Sequence, residues 1–360
     1  MAGWSSAPST SNCRCRLSED SVYPKKILIT GGYGFLGRHL VRCLSEGPNR
    51  PALKLMDLKA GDLSLDTQAT PSAECILGRD VRDYDAIAPE FAGIDCVIHL
   101  AGIVSFSLKD KALLHSVNVD GARNVLRAAA ENAVGRVLHV SSVAGLGYGD
   151  DPDRPIDEDY RFDWRIAAAR RKYYMLTKHL ADEEVARFRA RGLNVTVVYP
   201  GLMFGPGDVT NSARLITAVR NRKIPFNMPG GTNIVDVRDV ARGIAMILND
   251  GPTGGDYLLS GDNLTFRHVN ATIARLLGVR PPRVTLPRFL NPILFNLLLL
   301  IERCKKDRLA LTADNLDSAF KFRYFDNARA RQHLGWRPQI PFEQTIADTI
   351  EWMKKDGQLE

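Results

Sequence analysis

Residues 25–37 read Lys-Lys-Ile-Leu-Ile-Thr-Gly-Gly-Tyr-Gly-Phe-Leu-Gly, and this stretch narrows the folds open to the chain more than any other. The short apolar run predicts a buried strand, the glycines a tight turn, and the pattern through Arg38–Ser45 a helix opening directly from that turn. Gly32, Gly34 and Gly37 fit the spacing Gly-x-Gly-x-x-Gly, and Gly31, Gly34 and Gly37 fit a wider Gly-x-x-Gly-x-x-Gly. Between a strand and a helix such glycines have separate duties. One makes the turn, one lets backbone approach a pyrophosphate, and one lets helix and strand pack closely. The helix N-terminus adds free N–H groups and the positive end of its dipole. Gly31, Gly34, Phe35, Leu36 and Gly37 are therefore expected to line a dinucleotide.

The rhythm continues. Strands are predicted at 52–56, ending at Asp57, at 75–77, ending near Asp80, at 95–100, at 136–140 and at 194–199, with helices at 117–132 and 172–190. Alternating strands and helices predict an α/β fold, a doubly wound parallel sheet of the Rossmann type. Residues 25–200 are assigned to this NAD(P)-binding domain. Residues 201–360, where Gly, Pro and Asn are frequent, are assigned to a smaller C-terminal substrate-binding lobe with segments returning to the sheet. Residues 1–24 are Ser-rich, contain Pro8 and Pro24, and lack the apolar run of a secretory signal, so a disordered tail is expected. Arg14 and Arg16 leave a transit peptide as the alternative.

With 45% hydrophobic residues the chain can bury a core without disulfides. Its six cysteines are scattered, and Cys13 and Cys15 have no following pair, so free thiols, no metal site and a cytoplasmic setting are expected. A net charge of +7, with a basic cluster at 303–308, is too mild to point to nucleic acid when no nucleic-acid module is present.

Asp57 ends the strand after the glycine turn, where a carboxylate accepts hydrogen bonds from ribose hydroxyls and repels a 2′-phosphate. NAD is thus the expected cofactor, and nearby Lys59 leaves NADP open. Asp80 and Val81 are candidates for the adenine edge, with helix capping as the structural alternative for Asp80.

Tyr174-x-x-x-Lys178 sets a phenol and an ammonium one turn apart on one helix face. A tyrosine pKa near 10 suits neutral pH poorly, and a neighbouring cation lowers it. Ser142 follows the strand at 136–140, at the edge of the sheet where ligands bind, and can polarise a substrate oxygen. Ser141 is expected to face the other way, and Tyr173 to pack or touch substrate.

These residues resemble the extended short-chain dehydrogenase/reductase superfamily from about Lys25 to Trp352. The resemblance rests on Thr-Gly-Gly-Tyr-Gly-Phe-Leu-Gly (30–37), Gly-Arg-Asp-Val-Arg-Asp (78–83), His-Leu-Ala-Gly (99–102) and Asn-Val-Asp-Gly-Ala-Arg-Asn-Val-Leu (118–126). Val-Ser-Ser-Val-Ala (140–144), Tyr174/Lys178, Tyr-Pro-Gly-Leu-Met-Phe-Gly-Pro-Gly-Asp (199–208) and Leu-Gly-Trp-Arg-Pro (334–338) complete it. It implies catalytic roles for Ser142, Tyr174 and Lys178, cofactor contacts at Leu100, Ala101 and Gly102, and a nicotinamide-side loop beginning at Pro200. Residues 230–241 and 257–265 look most like the branch of 3β-hydroxysteroid dehydrogenases, dihydroflavonol reductases and hopanoid-associated reductases.

The implied reaction is hydride transfer between a secondary alcohol and a ketone on an apolar substrate. Two other readings stand beside it: a nucleotide-sugar epimerase or dehydratase, and a non-catalytic NAD-binding scaffold. Asn233 stands in the neighbourhood where epimerases typically carry a diphosphate-gripping Arg, Tyr199 replaces the Arg often found before the proline, and Arg222 and Arg242 remain as candidate charges. Members of the superfamily often dimerise through two helices, for which 111–132 and 172–190 are the candidates. Phe289–Ile301 is strongly apolar yet shorter than the ~20 residues that span a bilayer. It is expected to form a core or pocket-lining helix, with residues 285–304 as an apolar wall, or to touch a membrane peripherally through 289–306.

Overall fold

The computed structural model describes residues 23–61, 73–251, 254–305, 307–309 and 311–359. The expected tail at 1–24, with Cys13 and Cys15, lies almost wholly outside the described residues, as does Lys306 of the basic cluster. The strands are β1 (Lys26–Thr30), β2 (Ala52–Asp57), β3 (Ala73–Leu77), β4 (Cys96–His99), β5 (Arg136–Val140), β6 (Val195–Pro200), β7 (Leu202–Phe204), β8 (Gly231–Asp236), β9 (Asp256–Leu259), β10 (Asp262–Thr265) and β11 (Phe322–Arg323).

Seven strands form one sheet in the order β3-β2-β1-β4-β5-β6-β9, and every pairing in it is parallel. Consecutive apolar residues build its centre because both faces are covered. Ile27 and Ile29 of β1 pack with Leu40, Val41 and Leu44 of the helix Phe35–Glu46, and with Val240 and Ile244 of the helix Val237–Asp250. Leu28, between them in sequence, faces the opposite layer with Val125, Leu126 and Val185. The order reverses between β1 and β4, which opens a crevice at the carboxyl ends of the strands. Thr30, Asp57, His99, Val140 and Pro200 all end strands at that edge.

The second half of the chain returns to this sheet through β9, in register with β6 from Val197↔Asp256 to Pro200↔Leu259. Its remaining strands form a small sheet, in which β8 pairs antiparallel with β10 and parallel with β7 and β11. The fully buried Trp336 donates its indole N–H to the Asp239 carbonyl at 3.0 Å, pinning the C-terminal segment to the helix Val237–Asp250.

Two elements depart from expectation. The helix expected over 117–132 is a five-residue π-helical turn, Ser116–Asp120, followed by the α-helix Gly121–Glu131. The segment 289–301 does not form a core helix. Within the helix Asn291–Cys304 only Asn291, Phe295 and Glu302 are buried, whereas Ile293, Leu297 and Leu300 are 62%, 54% and 58% exposed and Phe289 just before it is 72% exposed. The segment is apolar on nearly every side, so periodicity could not reveal which face turns outward.

Candidate functional site

The cofactor end of the site begins at Gly31, whose φ of +72° is open to glycine without strain. A Cβ there would stand 2.8 Å from the Ala101 amide nitrogen, and one on Gly37 would stand 2.5 Å from the carbonyl oxygens of Gly31 and Gly32. The turn is therefore a cradle that side chains would fill. Gly34 caps the helix that starts at Phe35 and brings no side-chain cap of its own. The Thr30 hydroxyl ties the next loop to this turn, meeting His99 Nδ1 at 2.7 Å and accepting the Ala101 N–H at 3.2 Å. Asp57 closes the cradle: its carboxylate accepts the Tyr33 N–H at 3.2 Å and the Leu58 N–H at 2.7 Å. These residues fit a dinucleotide. Asp80 is gripped by Arg82 at 2.9 Å, which holds its carboxyl below the usual range, and Asp83, not Asp80, caps the helix Tyr84–Ile87. Val81 is buried against Gly121, where a Cβ would come within 2.7 Å of its methyl.

Tyr174 and Lys178 lie on the helix Tyr173–Arg189, and Ser142 follows β5. Ser142 accepts the Ala144 N–H at 3.2 Å, which fixes the turn that carries it, and faces the Tyr174 phenol. Lys178 points to the cofactor side, with Nζ 3.5 Å from the Val140 carbonyl and 3.7 Å from where a Gly102 Cβ would sit. A fourth polar group joins them that sequence reasoning missed. The π-helical turn thrusts Asn118 inward, where it accepts the Ile103 N–H at 2.9 Å and donates to the Ile103 carbonyl at 3.0 Å and to Thr177 Oγ1 at 3.3 Å. The motif at 118–126 contained this residue but gave no sign that the helix bulges there.

Burial raises the Tyr174 pKa, while hydrogen bonding from Ser142 and the charge of Arg323 pull it down. The Arg323 guanidinium thus lies where its charge acts on the phenol. Burial lowers the Lys178 pKa, and Asp182, one turn further along the helix, opposes that shift. Asp182 is itself raised by burial to about 7, and the Ser141 hydroxyl lies beside it while Ser141, expected to face the other way, also lines the pocket over Tyr174.

A pocket opens over Tyr174 and Ser142, walled by Val104, Phe106, Val143, Leu202, Met203 and Phe325. Its polar rim includes Asn211, Asp314, Ser318 and Arg323. Residues 285–304, expected as the apolar wall, do not line it. Arg222 and Arg242 stay outside as well. Arg222 is exposed, and Arg242 pairs with Asp239 at 2.6 Å. Asn233 is consumed by structure, bonding to Gly261 and Asn263. Asp236 caps the helix Val237–Asp250 and forms an ion pair with Arg238 at 2.7 Å.

Residues 27–260 match the NAD dependent epimerase/dehydratase family. The chain belongs to that family. Its cofactor is NAD, and it is an oxidoreductase of the extended short-chain dehydrogenase/reductase type. Sterol demethylase protein B of Methylococcus capsulatus is 27% identical over 353 residues, 92% of this chain and 99% of its own. Sterol-4-alpha-carboxylate 3-dehydrogenase, decarboxylating, of Bos taurus is 26% identical over 353 residues, 94% of this chain and 95% of its own. Among solved structures, gox2253 superposes with a TM-score of 0.78 at 29% identity, covering 93% of this chain and 100% of that one.

Proposed function

We propose that the enzyme moves hydride between a secondary alcohol and a ketone on an apolar, steroid- or terpenoid-like skeleton. The observation that carries this reading is the apolar pocket over Tyr174 and Ser142. In the oxidative direction Ser142 donates a hydrogen bond to the substrate oxygen and orients it. Tyr174 accepts the hydroxyl proton at its phenolate oxygen, and in reduction it returns that proton. Lys178, beside Gly102, is placed to hold cofactor hydroxyls, and Asn118 holds the loop at Ile103 that borders them. Asp57, Val81 and the glycine turn bind the adenosine and pyrophosphate parts, with Asp80, Leu100, Ala101 and Pro200 along the same edge. NAD supplies the hydride acceptor at its nicotinamide, and its positive charge favours the Tyr174 phenolate.

Purified protein incubated with NAD or NADP and a panel of steroid, terpenoid and flavonoid alcohols should show reduced cofactor by absorbance. The Tyr174→Phe variant should lose that turnover. Unchanged turnover in the variant would sink the assignment of Tyr174.

Two further features belong to the reading. Phe289, Ile293, Leu297 and Leu300 recur at helical spacing as an outward apolar stripe, followed by Arg303 and Lys305. Such a face suits the interface of an anionic membrane, from which an apolar substrate would arrive. Among the described residues no helix is long and apolar enough to cross a bilayer. Flotation with anionic vesicles, lost in Ile293→Glu/Leu297→Glu, tests this. The helices Gly121–Glu131 and Tyr173–Arg189 lie side by side, joined by Arg123–Glu184 at 2.9 Å, and are proposed as the dimer face. Light scattering that gives a monomer mass would reject that.

A further inference from the structure

Tyr174, Lys178 and Asp182 stand at successive turns of one helix, and the third of them has no part in the reaction described so far. The Asp182 carboxylate turns in against β5, with Oδ1 3.8 Å from His139 Nε2. A Cβ on Gly145 would stand 2.4 Å from its Oδ2 and 3.0 Å from the Ser141 hydroxyl, so a glycine is needed where the turn Val143–Gly145 closes over the two. Both carboxylate oxygens of Asp182, both ring nitrogens of His139 and the Ser141 hydroxyl are shut off from solvent. Among the described residues none of these atoms has a hydrogen-bond partner of ordinary geometry. Folded chains seldom leave several buried polar atoms so in one place, and the cluster calls for a reason other than packing.

The charges around this cluster are few. The His139 ring lies against that of His99, with centroids 5.3 Å apart, and burial keeps both imidazoles neutral. Tyr199, on β6, faces Asp182 with a phenol whose pKa burial pushes up. Arg189 and Asp256 also act on Asp182, with opposite signs, and are joined to each other at 2.6 Å. That leaves Lys178. Burial favours its neutral amine, and the charge that opposes this is Asp182. Burial likewise favours the neutral Asp182 carboxyl, lifting it to about 7, while the Ser141 hydroxyl and the Lys178 charge pull the other way. Two buried groups of opposite sign, each unfavourable alone, thus keep each other ionised. As pH rises through about 7 Asp182 becomes a carboxylate, and from there upward it resists the loss of the Lys178 proton.

We propose that Asp182 is a positioning residue for the reaction: as a carboxylate behind Lys178 it keeps that side chain an ammonium, and so sets how far into alkaline pH the enzyme holds its cofactor and works. This rests on the oxidoreductase reading of the site. A neutral amine makes fewer and weaker hydrogen bonds to ribose hydroxyls than an ammonium does. The test compares the wild type with Asp182→Asn, which keeps the shape of the side chain, with Lys178→Met and with the double variant. Asp182→Ser, smaller and equally uncharged, takes the place of Asp182→Asn if that variant does not fold. NADH affinity is read by fluorescence titration, and kcat/KM by oxidation of a hydroxysteroid with NAD, each from about pH 6 to 10. Melting temperature verifies that the variants fold.

The pH at which NADH affinity falls on the alkaline side should drop by about one unit or more in Asp182→Asn, and the alkaline limb of kcat/KM should move with it. In Lys178→Met that limb should be gone, and adding Asp182→Asn should leave the affinity profile as it is. An Asp182→Asn profile that coincides with the wild type's within about 0.3 unit, or a shift that persists in the Lys178→Met background, overturns the proposal. A loss of affinity that is uniform across pH marks a merely structural role and overturns it too. If no form of the enzyme oxidises the steroid, the oxidoreductase reading falls, while the affinity profiles still decide the role of Asp182.

Discussion

Replacing Lys172 by Met should unfasten the helix that carries Tyr174. Lys172 is wholly buried, is the residue just before that helix, and reaches across 142 residues of sequence to Asp314. After the substitution Asp317 keeps Arg170 and Asn291, but Asp314 loses its ion pair and keeps the Ser318 hydroxyl and the unbonded charge of Arg323. The loss is therefore that of one buried carboxylate left without its cation, about 3–5 kcal/mol. Unfolding entropy of about 2.1 cal/mol/K per residue over 360 residues gives roughly 0.76 kcal/mol/K, so the thermal midpoint should fall by about 4–7 °C. Calorimetry or circular dichroism reads this directly. The double variant Lys172→Met/Asp314→Leu should regain at least half of the loss, since it removes the stranded charge. A midpoint within about 1 °C of the wild type in Lys172→Met, or no recovery in the double variant, would refute the reasoning.

Three more outcomes follow from the same geometry. Gly37→Ala forces a methyl to within 2.5 Å of two carbonyl oxygens, so the turn must shift, and NAD affinity measured by titration calorimetry should fall about 10-fold or more. Asp57→Asn removes the charge that disfavours a 2′-phosphate, and the NAD-to-NADP ratio of kcat/KM should drop by about 10-fold; an unchanged ratio would place selectivity elsewhere. Burial holds His99 down to about 3 and His39 down to about 4, against about 6.5 in an unfolded chain. Both stay neutral when folded, so below about pH 6.5 the unfolded chain takes up protons that the folded one refuses. Their stabilising contribution is complete above that pH and is lost as pH falls towards 4, and His39→Gln should flatten the decline in melting temperature between pH 6.5 and 4.5.

Local chemistry explains which parts were readable in the sequence. The glycine turn, Asp57 and Ser142 lie within a few residues of the strands that position them, so apolar runs and their stops locate them. Tyr174 and Lys178 share a face through helical spacing alone. Asn118 was hidden because a π-helical turn inserts one residue into a regular pattern without a residue type that announces it. Arg323 was hidden for another reason: a two-residue strand has no periodicity, and only pairing with Thr232, far away in sequence, brings its side chain to the pocket. For 289–301 the sequence left a buried helix and an outward, membrane-facing one side by side, because a segment apolar on all sides does not encode which side meets the core.

The long reach from Lys172 to Asp314 has a bearing on how the molecule comes into being at the ribosome. The residues proposed to hold the dinucleotide, from Gly31 to Pro200, have all been made before Asp314 and Arg323 emerge. The part of the substrate wall that carries Asp314, Arg323 and Phe325 is made more than 100 residues later than the rest of it. Until it arrives, the side of Lys172 that will be sealed stands open to water. The nascent chain thus acquires its means of holding NAD before its means of choosing what to oxidise, and a ligand that binds early can stabilise the half-built sheet while the discriminating wall is still being synthesised.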